Sequence, residues 1–121
     1  MCGSPQIEAN HMTNLTVKPG ASVVFNCKVI DFRILKSPLS LLLQVDLSCM
    51  VSTIRWYHEM ENGTEVLIKT PQDPGNPYTL DIPSVSMTDM GMYTCVARNV
   101  VGRDHVAAYL QVDHGGKIGI E

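Results

Sequence analysis

The chain has 121 residues, of which 12 are acidic and 9 are basic, so its formal net charge at pH 7 is −3. A chain of this length buries about 65% of the surface that its unfolded form exposes, which predicts one compact domain with one hydrophobic core. The charge is mildly acidic and the basic residues are scattered, so we expect neither nucleic acid nor an anionic membrane surface as a partner.

No segment of the sequence is apolar enough to cross a membrane, because a bilayer requires about 20 consecutive apolar residues. The longest apolar run, Leu39–Leu47, is interrupted by Gln44 and Asp46. The first residues have neither a basic region nor an apolar core, so no signal peptide is predicted. We therefore expect that this segment is not inserted in a membrane.

Short strands separated by turns are predicted along most of the chain. Turn-forming residues recur about every ten positions, and apolar and polar residues alternate between them, which is typical of strands with one buried face. The residues expected to face the interior are Leu15, Val17, Val23, Phe25, Cys27, Ile54, Trp56, Val66, Ile68, Leu80, Ile82, Tyr93, Cys95, Ala97, Ala108, Leu110 and Val112. They are enough for two antiparallel sheets packed face to face.

Two separate residues and one short motif resemble the immunoglobulin fold. Cys27 lies in the first clear strand, Trp56 lies in the next, and Asp89-Met90-Gly91-Met92-Tyr93-Thr94-Cys95 leads into a later one. The resemblance implies an all-β, immunoglobulin-like two-sheet Greek-key sandwich. It also implies that a Cys27–Cys95 disulfide joins the two sheets and that Trp56 covers this bridge.

Further motifs are similar to those of the I-set of immunoglobulin domains. Leu15-Thr16-Val17-Lys18-Pro19-Gly20 resembles strand A′ with its turn, and Ala97-Arg98-Asn99-Val100-Val101-Gly102 resembles the F–G hairpin. This resemblance covers residues 13–112. Within the I-set, the segments most similar to the membrane-proximal domain of fibroblast growth factor receptors are Cys27-Lys28-Val29, Ile54-Arg55-Trp56, Glu61-Asn62-Gly63 and Leu67-Ile68-Lys69-Thr70.

The resemblance assigns structural roles to several residues. It places Trp56, Tyr93 and Leu80 in the core, with the Tyr93 hydroxyl fixing the E–F corner and Asp89 anchoring the adjacent turn. By the chain-entropy estimate, the Cys27–Cys95 bridge would contribute up to about 4 kcal/mol of stability. Because such disulfides persist outside the reducing cytosol, we expect an extracellular or cell-surface location.

In the receptor family that the chain resembles, ligand contacts come from the B–C, C′–E and F–G loops. The corresponding residues here are Ser52 and Thr53 in B–C, Gln72, Asp73 and Asn76 in C′–E, and Arg98, Asn99 and Arg103 around F–G. We therefore expect an extracellular receptor module that binds a protein ligand. The alternative is a structural or spacer module between neighbouring immunoglobulin domains of an adhesion or multi-domain filament protein.

Two glycosylation sequons, Asn14-Leu15-Thr16 and Asn62-Gly63-Thr64, lie in or beside predicted turns. A glycan attached at Asn14 or Asn62 could face water at these positions. Together with the expected disulfide, they favour an extracellular glycoprotein over an intracellular filament module.

The spacing between Cys27 and Trp56 departs from the family pattern, since 29 positions separate them where about a dozen are usual. Removing residues 29–44 reduces this separation to 13 and reduces the separation of Cys27 from Cys95 from 68 to 52. The predicted organisation is thus an N-terminal extension at 1–12, an immunoglobulin domain at 13–112 with an insertion at 29–44, and a tail at 113–121.

The origin of the 29–44 segment is open between two hypotheses. A short intron retained and translated in frame is one, because Val and Gln codons at its ends can supply GT and AG. An ordinary long B–C loop is the other, since lengthening a loop costs only about 0.7 kcal/mol of closure entropy. In either case its leucines require burial or form an exposed apolar patch, which predicts reduced solubility.

The remaining reactive side chains form no recognisable catalytic, metal or cofactor site. No nucleophile or phosphate-binding motif is present, and the histidines lack the spacing of zinc ligands. We expect no enzyme activity and no cofactor. The histidines at 11, 58, 105 and 114 are expected at the surface or in loops, and the glutamates at 59, 61 and 65 at a solvated edge. Cys2 and Cys49 could bridge each other, bind a partner chain or stay free, and Cys49 could replace Cys27 in the core bridge.

Overall fold

A computed structural model describes residues 2–33 and 52–113 of the chain. Within these ranges there are nine strands, joined by turns that include short 3-10 segments at Ala9–His11 and Met87–Asp89. The strands are β1 Cys2–Glu8, β2 Leu15–Val17, β3 Val23–Asn26, β4 Lys28–Arg33, β5 Thr53–Met60, β6 Glu65–Lys69, β7 Thr79–Ile82, β8 Gly91–Arg98 and β9 Arg103–Val112.

Five of the strands form one sheet in the order β2-β9-β8-β5-β6. β2 runs parallel to β9, whereas the other neighbouring pairs are antiparallel. β3 and β7 form an antiparallel pair, which supplies the second layer of the sandwich. The predicted all-β sandwich is confirmed.

The core lies between the two layers and is built from the alternating residues of β3, β5, β8 and β9. Phe25, Trp56 and Tyr93 are all buried, and Cys27 is linked to Cys95 by a disulfide whose Cα atoms are 6.3 Å apart. Trp56 and Cys95 are directly opposite each other across β5 and β8, so the indole is adjacent to the bridge. The bridge thus contains Cys27, and Cys49, which lies outside the described residues, does not replace it.

The first residues of the chain form a strand, although the sequence predicted only an N-terminal extension there. β1 pairs antiparallel with β4, with Ile7 opposite Val29, and it also packs against β9. Pro5 is buried and Ile7 packs on the core, so β1 contributes apolar side chains to the sandwich. Residues 29–33 of the predicted insertion belong to β4, and residues 34–44 lie outside the described part of the chain.

The prediction that Val66 and Ile68 face the interior is wrong. Both side chains are exposed, at 36% and 38%, and all but the last residue of β6 is exposed. β6 is an edge strand of the larger sheet, and β5 is its one neighbour in the sheet pairing of the described residues. The register between β5 and β6 shifts between Trp56 and Tyr57, so the ladder is irregular at this edge.

Candidate binding surface

The E–F corner has a structural role. The Tyr93 hydroxyl donates a hydrogen bond to the backbone carbonyl of Asp89, and Asp89 Oδ2 accepts one from the Ser86 N–H at 2.8 Å. Burial, with a smaller contribution from the Asp89 charge, raises the pKa of Tyr93 well above its ordinary range. Tyr93 is therefore held as a neutral donor that ties strand β8 to the preceding turn.

The prediction that the histidines lie at the surface is wrong for His58, which is 6% exposed. Its ring stacks on Tyr93 with centroids 4.2 Å apart, and Nε2 lies 3.0 Å from the Met90 carbonyl oxygen. His58 occupies the same face of β5 as Ile54 and Trp56, which are both buried. The signal in the sequence is its position two residues after Trp56, because alternation in a strand puts such a residue on the same buried face.

The Asn99 side chain closes the F–G hairpin with hydrogen bonds to its backbone. Its Oδ1 accepts hydrogen bonds from the Val101 and Gly102 N–H groups at 2.8 and 3.0 Å. Its Nδ2 donates to the Gly3 carbonyl at 2.9 Å, so the same amide attaches the hairpin to β1. Asn99 was expected to contact a ligand, and the structure gives its side chain these internal contacts.

The start of β5 lies beside this hairpin. Thr53 is opposite Arg98, and its Oγ1 lies 3.4 Å from the Arg98 carbonyl oxygen and 3.3 Å from Arg55 Nη1. Arg98 is in turn directly opposite Arg103. The structure therefore brings together Thr53, Arg98, Asn99 and Arg103 of the predicted contact residues, with Ser52 preceding Thr53 in the chain.

The C′–E residues form a separate group whose polar atoms build turns. Asp73 Oδ2 accepts a hydrogen bond from the Thr70 N–H at 2.7 Å, and Asn76 Oδ1 accepts one from the Tyr78 N–H at 2.9 Å. Gln72 is exposed. None of these three predicted contact residues lines the grooves beside the F–G hairpin.

A groove of about 400 Å³ lies on the outer face of the five-stranded sheet, and sequence reasoning did not assign a function to it. Its lining residues are Arg55, Tyr57, Glu65, Thr94, Val96, Arg98 and Arg103. The alternation in β5 did predict that Arg55 and Tyr57 face away from Trp56. The sequence could not predict which charged residues lie beside Arg55 and Tyr57, because that depends on how distant segments pair in the sheet.

The three arginines of this groove have no acidic partner among the described residues. The ion pairs among the described residues lie elsewhere and join Glu8 to His11 and to Lys28, at 2.9 and 4.0 Å. At the other end of the face, Tyr109 donates a hydrogen bond to Glu61 Oε2, which raises the pKa of Tyr109. The face thus carries charges of opposite sign at its two ends.

Both sequon asparagines are exposed and oriented by hydrogen bonds. Asn14 Oδ1 accepts the Tyr109 N–H at 2.8 Å, and Asn62 Oδ1 accepts the Thr64 N–H at 2.9 Å. Residues 2–33 and 52–113 contain no helix that is long and apolar enough to span a membrane. The same residues bring no three metal-ligating side chains together.

Comparison with known proteins identifies relatives of this chain. The family model of the immunoglobulin I-set domain matches residues 43–112. A fibroblast growth factor receptor of Ciona intestinalis is 31% identical over 111 residues, which is 89% of this chain and 12% of that protein. Roundabout homolog 1 of Homo sapiens is 40% identical over 62 residues, which is 51% of this chain and 4% of that protein.

Solved structures show the same fold. A structure described as the structural basis for Dscam isoform specificity aligns with a TM-score of 0.66 at 20% identity, covering 93% of this chain and 25% of that one. The chain spans 12% of the fibroblast growth factor receptor and 4% of Roundabout homolog 1.

Proposed function

The chain is a member of the immunoglobulin I-set domain family, and on that premise we propose that it is an extracellular module of a cell-surface receptor that binds a protein ligand. Immunoglobulin domains of this kind are binding modules, and they carry rim loops on a stable sandwich. The ligand surface in this proposal is the F–G end, formed by Thr53, Arg98, Asn99 and Arg103, with Ser52 beside it.

The observation that carries the proposal is the juxtaposition of exposed polar groups on a hairpin whose turn is closed by hydrogen bonds to Asn99. Arg98 and Arg103 are exposed at the ends of two paired strands, and the Asn99 amide fixes the turn between them. A side chain held on a rigid element loses less conformational entropy on binding than one on a free loop. Arginine is also enriched at protein interfaces, where it contributes much of the binding energy.

The extracellular part of the proposal is supported by the Cys27–Cys95 disulfide, which is typical of an oxidising compartment. The exposed sequons at Asn14 and Asn62 are accessible positions for glycans. Expression in secretory cells followed by enzymatic removal of N-glycans tests this part. A decrease in mass that is lost in Asn14→Gln and Asn62→Gln variants supports it, and an unchanged mass contradicts the glycan assignment.

Binding of purified fibroblast growth factors to the immobilised chain tests the ligand proposal. The Ciona intestinalis relative is named as a receptor for this class, so a panel of such factors is the first probe. We expect saturable binding of at least one factor, weakened about tenfold or more by Arg98→Glu. Asp81→Asn, on the exposed side of β7, is the control and should bind as the unchanged chain does.

A second function, that of a spacer between neighbouring domains, is favoured by the direction of the chain through the sandwich. Gly3 lies beside the F–G hairpin, whereas Val112 is opposite Val17 at the far end of β9. Segments that continue from the two ends would therefore attach at opposite ends of the module. If no factor in the panel binds, the receptor proposal is contradicted and the spacer function is the better account.

A further inference from the structure

The outer face of the five-stranded sheet is organised in rows of directly opposite residues. The four rows, from the F–G end to the C–C′ turn, are Thr53 with Arg98 and Arg103, Arg55 with Val96 and His105, Tyr57 with Leu67, Thr94 and Ala107, and Glu59 with Glu65, Met92 and Tyr109. These residues form the outer face of the sheet. These residues alternate along their strands with the buried residues of the core, so they lie on the side of the sheet that points away from it.

The F–G end of the outer face is basic. Arg98 and Arg103 are directly opposite, which places their Cβ atoms about 5 Å apart, and Arg55 is a diagonal neighbour of Arg98 at about 7 Å. Like charges at directly opposite positions destabilise a sheet. Within residues 2–33 and 52–113 no carboxylate lies within 4.0 Å of these arginines, so none of the three forms an ion pair there, although Glu65 from β6 also lines the groove that contains them.

The opposite end of the outer face is acidic. Glu59 and Glu65 are directly opposite across β5 and β6, and both are exposed. Glu61, in the adjoining turn, reaches the same end through its hydrogen bond with the Tyr109 hydroxyl. Glu59 and Glu65 thus form an unfavourable pair of negative charges, as Arg98 and Arg103 form an unfavourable pair of positive charges at the F–G end.

An uncharged centre separates the two ends. Tyr57, Thr94 and Ala107 form its row, and Leu67, which is 44% exposed, lies beside Tyr57. Six positions of β5 separate Thr53 from Glu59, which corresponds to about 20 Å at the rise of an antiparallel strand. A rotation of 180° about an axis that lies in the plane of the interface, across the strands and above Tyr57 and Thr94, brings the basic end of one copy over the acidic end of the other.

We propose that the outer face binds a second copy of this chain in a symmetric, antiparallel dimer. In such an interface each contact occurs twice, so Arg98 and Arg103 of each copy meet Glu59 and Glu65 of the other. Both unfavourable like-charge pairs are thereby neutralised, and Tyr57 and Leu67 supply a less polar centre. The proposal goes beyond the ligand-binding function and does not depend on it.

The size of the face predicts a weak association. Four strands spaced by about 4.8 Å over a length of about 20 Å offer roughly 400 Å² on each copy, about half of what a standard stable interface buries. We therefore expect a transient dimer whose affinity depends strongly on ionic strength, because its specific contacts are between exposed charges.

Sedimentation velocity of the full chain tests the proposal. Between about 10 μM and about 1 mM, the sedimentation coefficient should rise with concentration at low salt and rise much less near 1 M salt, where the screening length is about 3 Å. Glu65→Lys should weaken association about fivefold or more. Asp81→Lys makes the same charge change on the opposite layer and should leave the association unchanged.

A charge exchange between two variants gives the decisive result. The double variants Glu59→Lys/Glu65→Lys and Arg98→Glu/Arg103→Glu should each be monomeric, and their mixture should associate more tightly than the unchanged chain. If a double variant does not fold, judged by circular dichroism, the single variants Glu65→Lys and Arg98→Glu are mixed instead.

Three results would overturn the dimer. They are a monomeric chain at the highest concentration in low salt, equal weakening by Glu65→Lys and Asp81→Lys, and a mixture of complementary variants that stays monomeric. The ligand proposal is separable, because Glu59→Lys/Glu65→Lys should abolish self-association and still bind a growth factor. Arg98→Glu should impair both.

Discussion

The carboxylate of Asp104 in β9 accepts a hydrogen bond from the backbone N–H of Ile7 in β1, with Oδ2 2.8 Å from the nitrogen. This contact joins residues 97 positions apart and docks the first strand on the last. We expect Asp104→Ala to cost about 1–3 kcal/mol in the free energy of unfolding, since it leaves a partly buried N–H without its acceptor.

Urea denaturation measures this loss, and hydrogen exchange locates it. Exchange should accelerate in Cys2–Glu8 of the variant before it accelerates in β5 or β8. Asp81→Asn, an exposed change in β7, is the control and should alter stability by no more than about 0.5 kcal/mol. Unchanged stability and exchange in Asp104→Ala would show that the contact does not hold β1.

Gly91 is a position where we expect any side chain to be strongly destabilising. Its φ is +140°, and a Cβ atom there would lie 2.3 Å from the Glu59 carbonyl oxygen and 2.8 Å from His58 Nε2. Backbone cannot move away without breaking the β5–β8 ladder, so Gly91→Ala should cost about 3 kcal/mol or more.

Gly75→Ala separates this steric effect from backbone strain. Gly75 also has a positive φ, of +91°, but no atom lies within 4 Å of its hypothetical Cβ. Its substitution should cost about 1–2 kcal/mol, the usual penalty for a side chain in this conformation. Comparable losses in thermal denaturation of the two variants would contradict the proposed clash at Gly91.

Reduction of the Cys27–Cys95 disulfide should unfold the domain or bring it close to unfolding. The bridge closes a loop of 68 residues, and the chain-entropy estimate of its contribution is about 4 kcal/mol, a large part of the stability of a small domain. Trp56 is completely buried beside it, so its fluorescence should shift to longer wavelength on reduction. A denaturation midpoint that reductant leaves unchanged would contradict this expectation.

Stability should decrease with pH above the ordinary tyrosine pKa of 10.0, because burial raises the pKa of Tyr93 in the folded state. Above pH 10 the unfolded chain loses this proton while the folded chain keeps it. The contribution of Tyr93 to the free energy of unfolding is fully present below pH 10. Above pH 10 it falls by up to about 1.4 kcal/mol for each pH unit.

Urea denaturation at several alkaline pH values measures this slope in the unchanged chain and in Tyr93→Phe. The variant should also lose about 1 kcal/mol at neutral pH, since it lacks the hydrogen bond to the Asp89 carbonyl. Tyr78→Phe is the control, because the Tyr78 side chain is 40% exposed. An identical alkaline slope in Tyr93→Phe would exclude Tyr93 as its source.

Deletion of residues 29–44 should increase soluble yield and the monomer fraction. The deletion removes the leucines at 39, 41, 42 and 43 and joins Lys28 to Val45, so that Val45 and Leu47 continue the alternation of β3. In the described structure, residues 29–33 pair with β1, and residues 45–49 would have to replace them. Size-exclusion chromatography measures the outcome. Equal yield and monomer content, or an unfolded product, would contradict the predicted insertion.

Side-chain alternation predicted the core wherever two layers face each other. Phe25, Trp56 and Leu110 are buried as expected, because a residue opposite another sheet is shielded whatever its neighbours are. The same rule failed for Val66 and Ile68, since alternation defines a face and does not reveal whether another layer covers it. For His58, the alternation with Ile54 and Trp56 is a better guide to burial than the polar type of its side chain.

Two features depended on contacts between distant segments. β1 lacks a clear alternation and contains Pro5, so its strand character arises from pairing with β4 and packing on β9. Likewise, the sequence placed Arg55 on the outer side of its strand. Only the register of β5, β8 and β9 places it near Arg98 and Arg103.

The irregular ladder beside β6 has a consequence for aggregation. β6 exposes Val66, Leu67 and Ile68 at an edge that pairs with no other strand of residues 2–33 and 52–113, and such an edge could recruit foreign strands and seed fibrils. The register shift between Trp56 and Tyr57 interrupts the regular template, and Lys69 at the end of the strand uses its ammonium group to hold the Asn76 and Thr79 carbonyls. Growth of a continuous sheet from one molecule to the next is thereby discouraged at this edge.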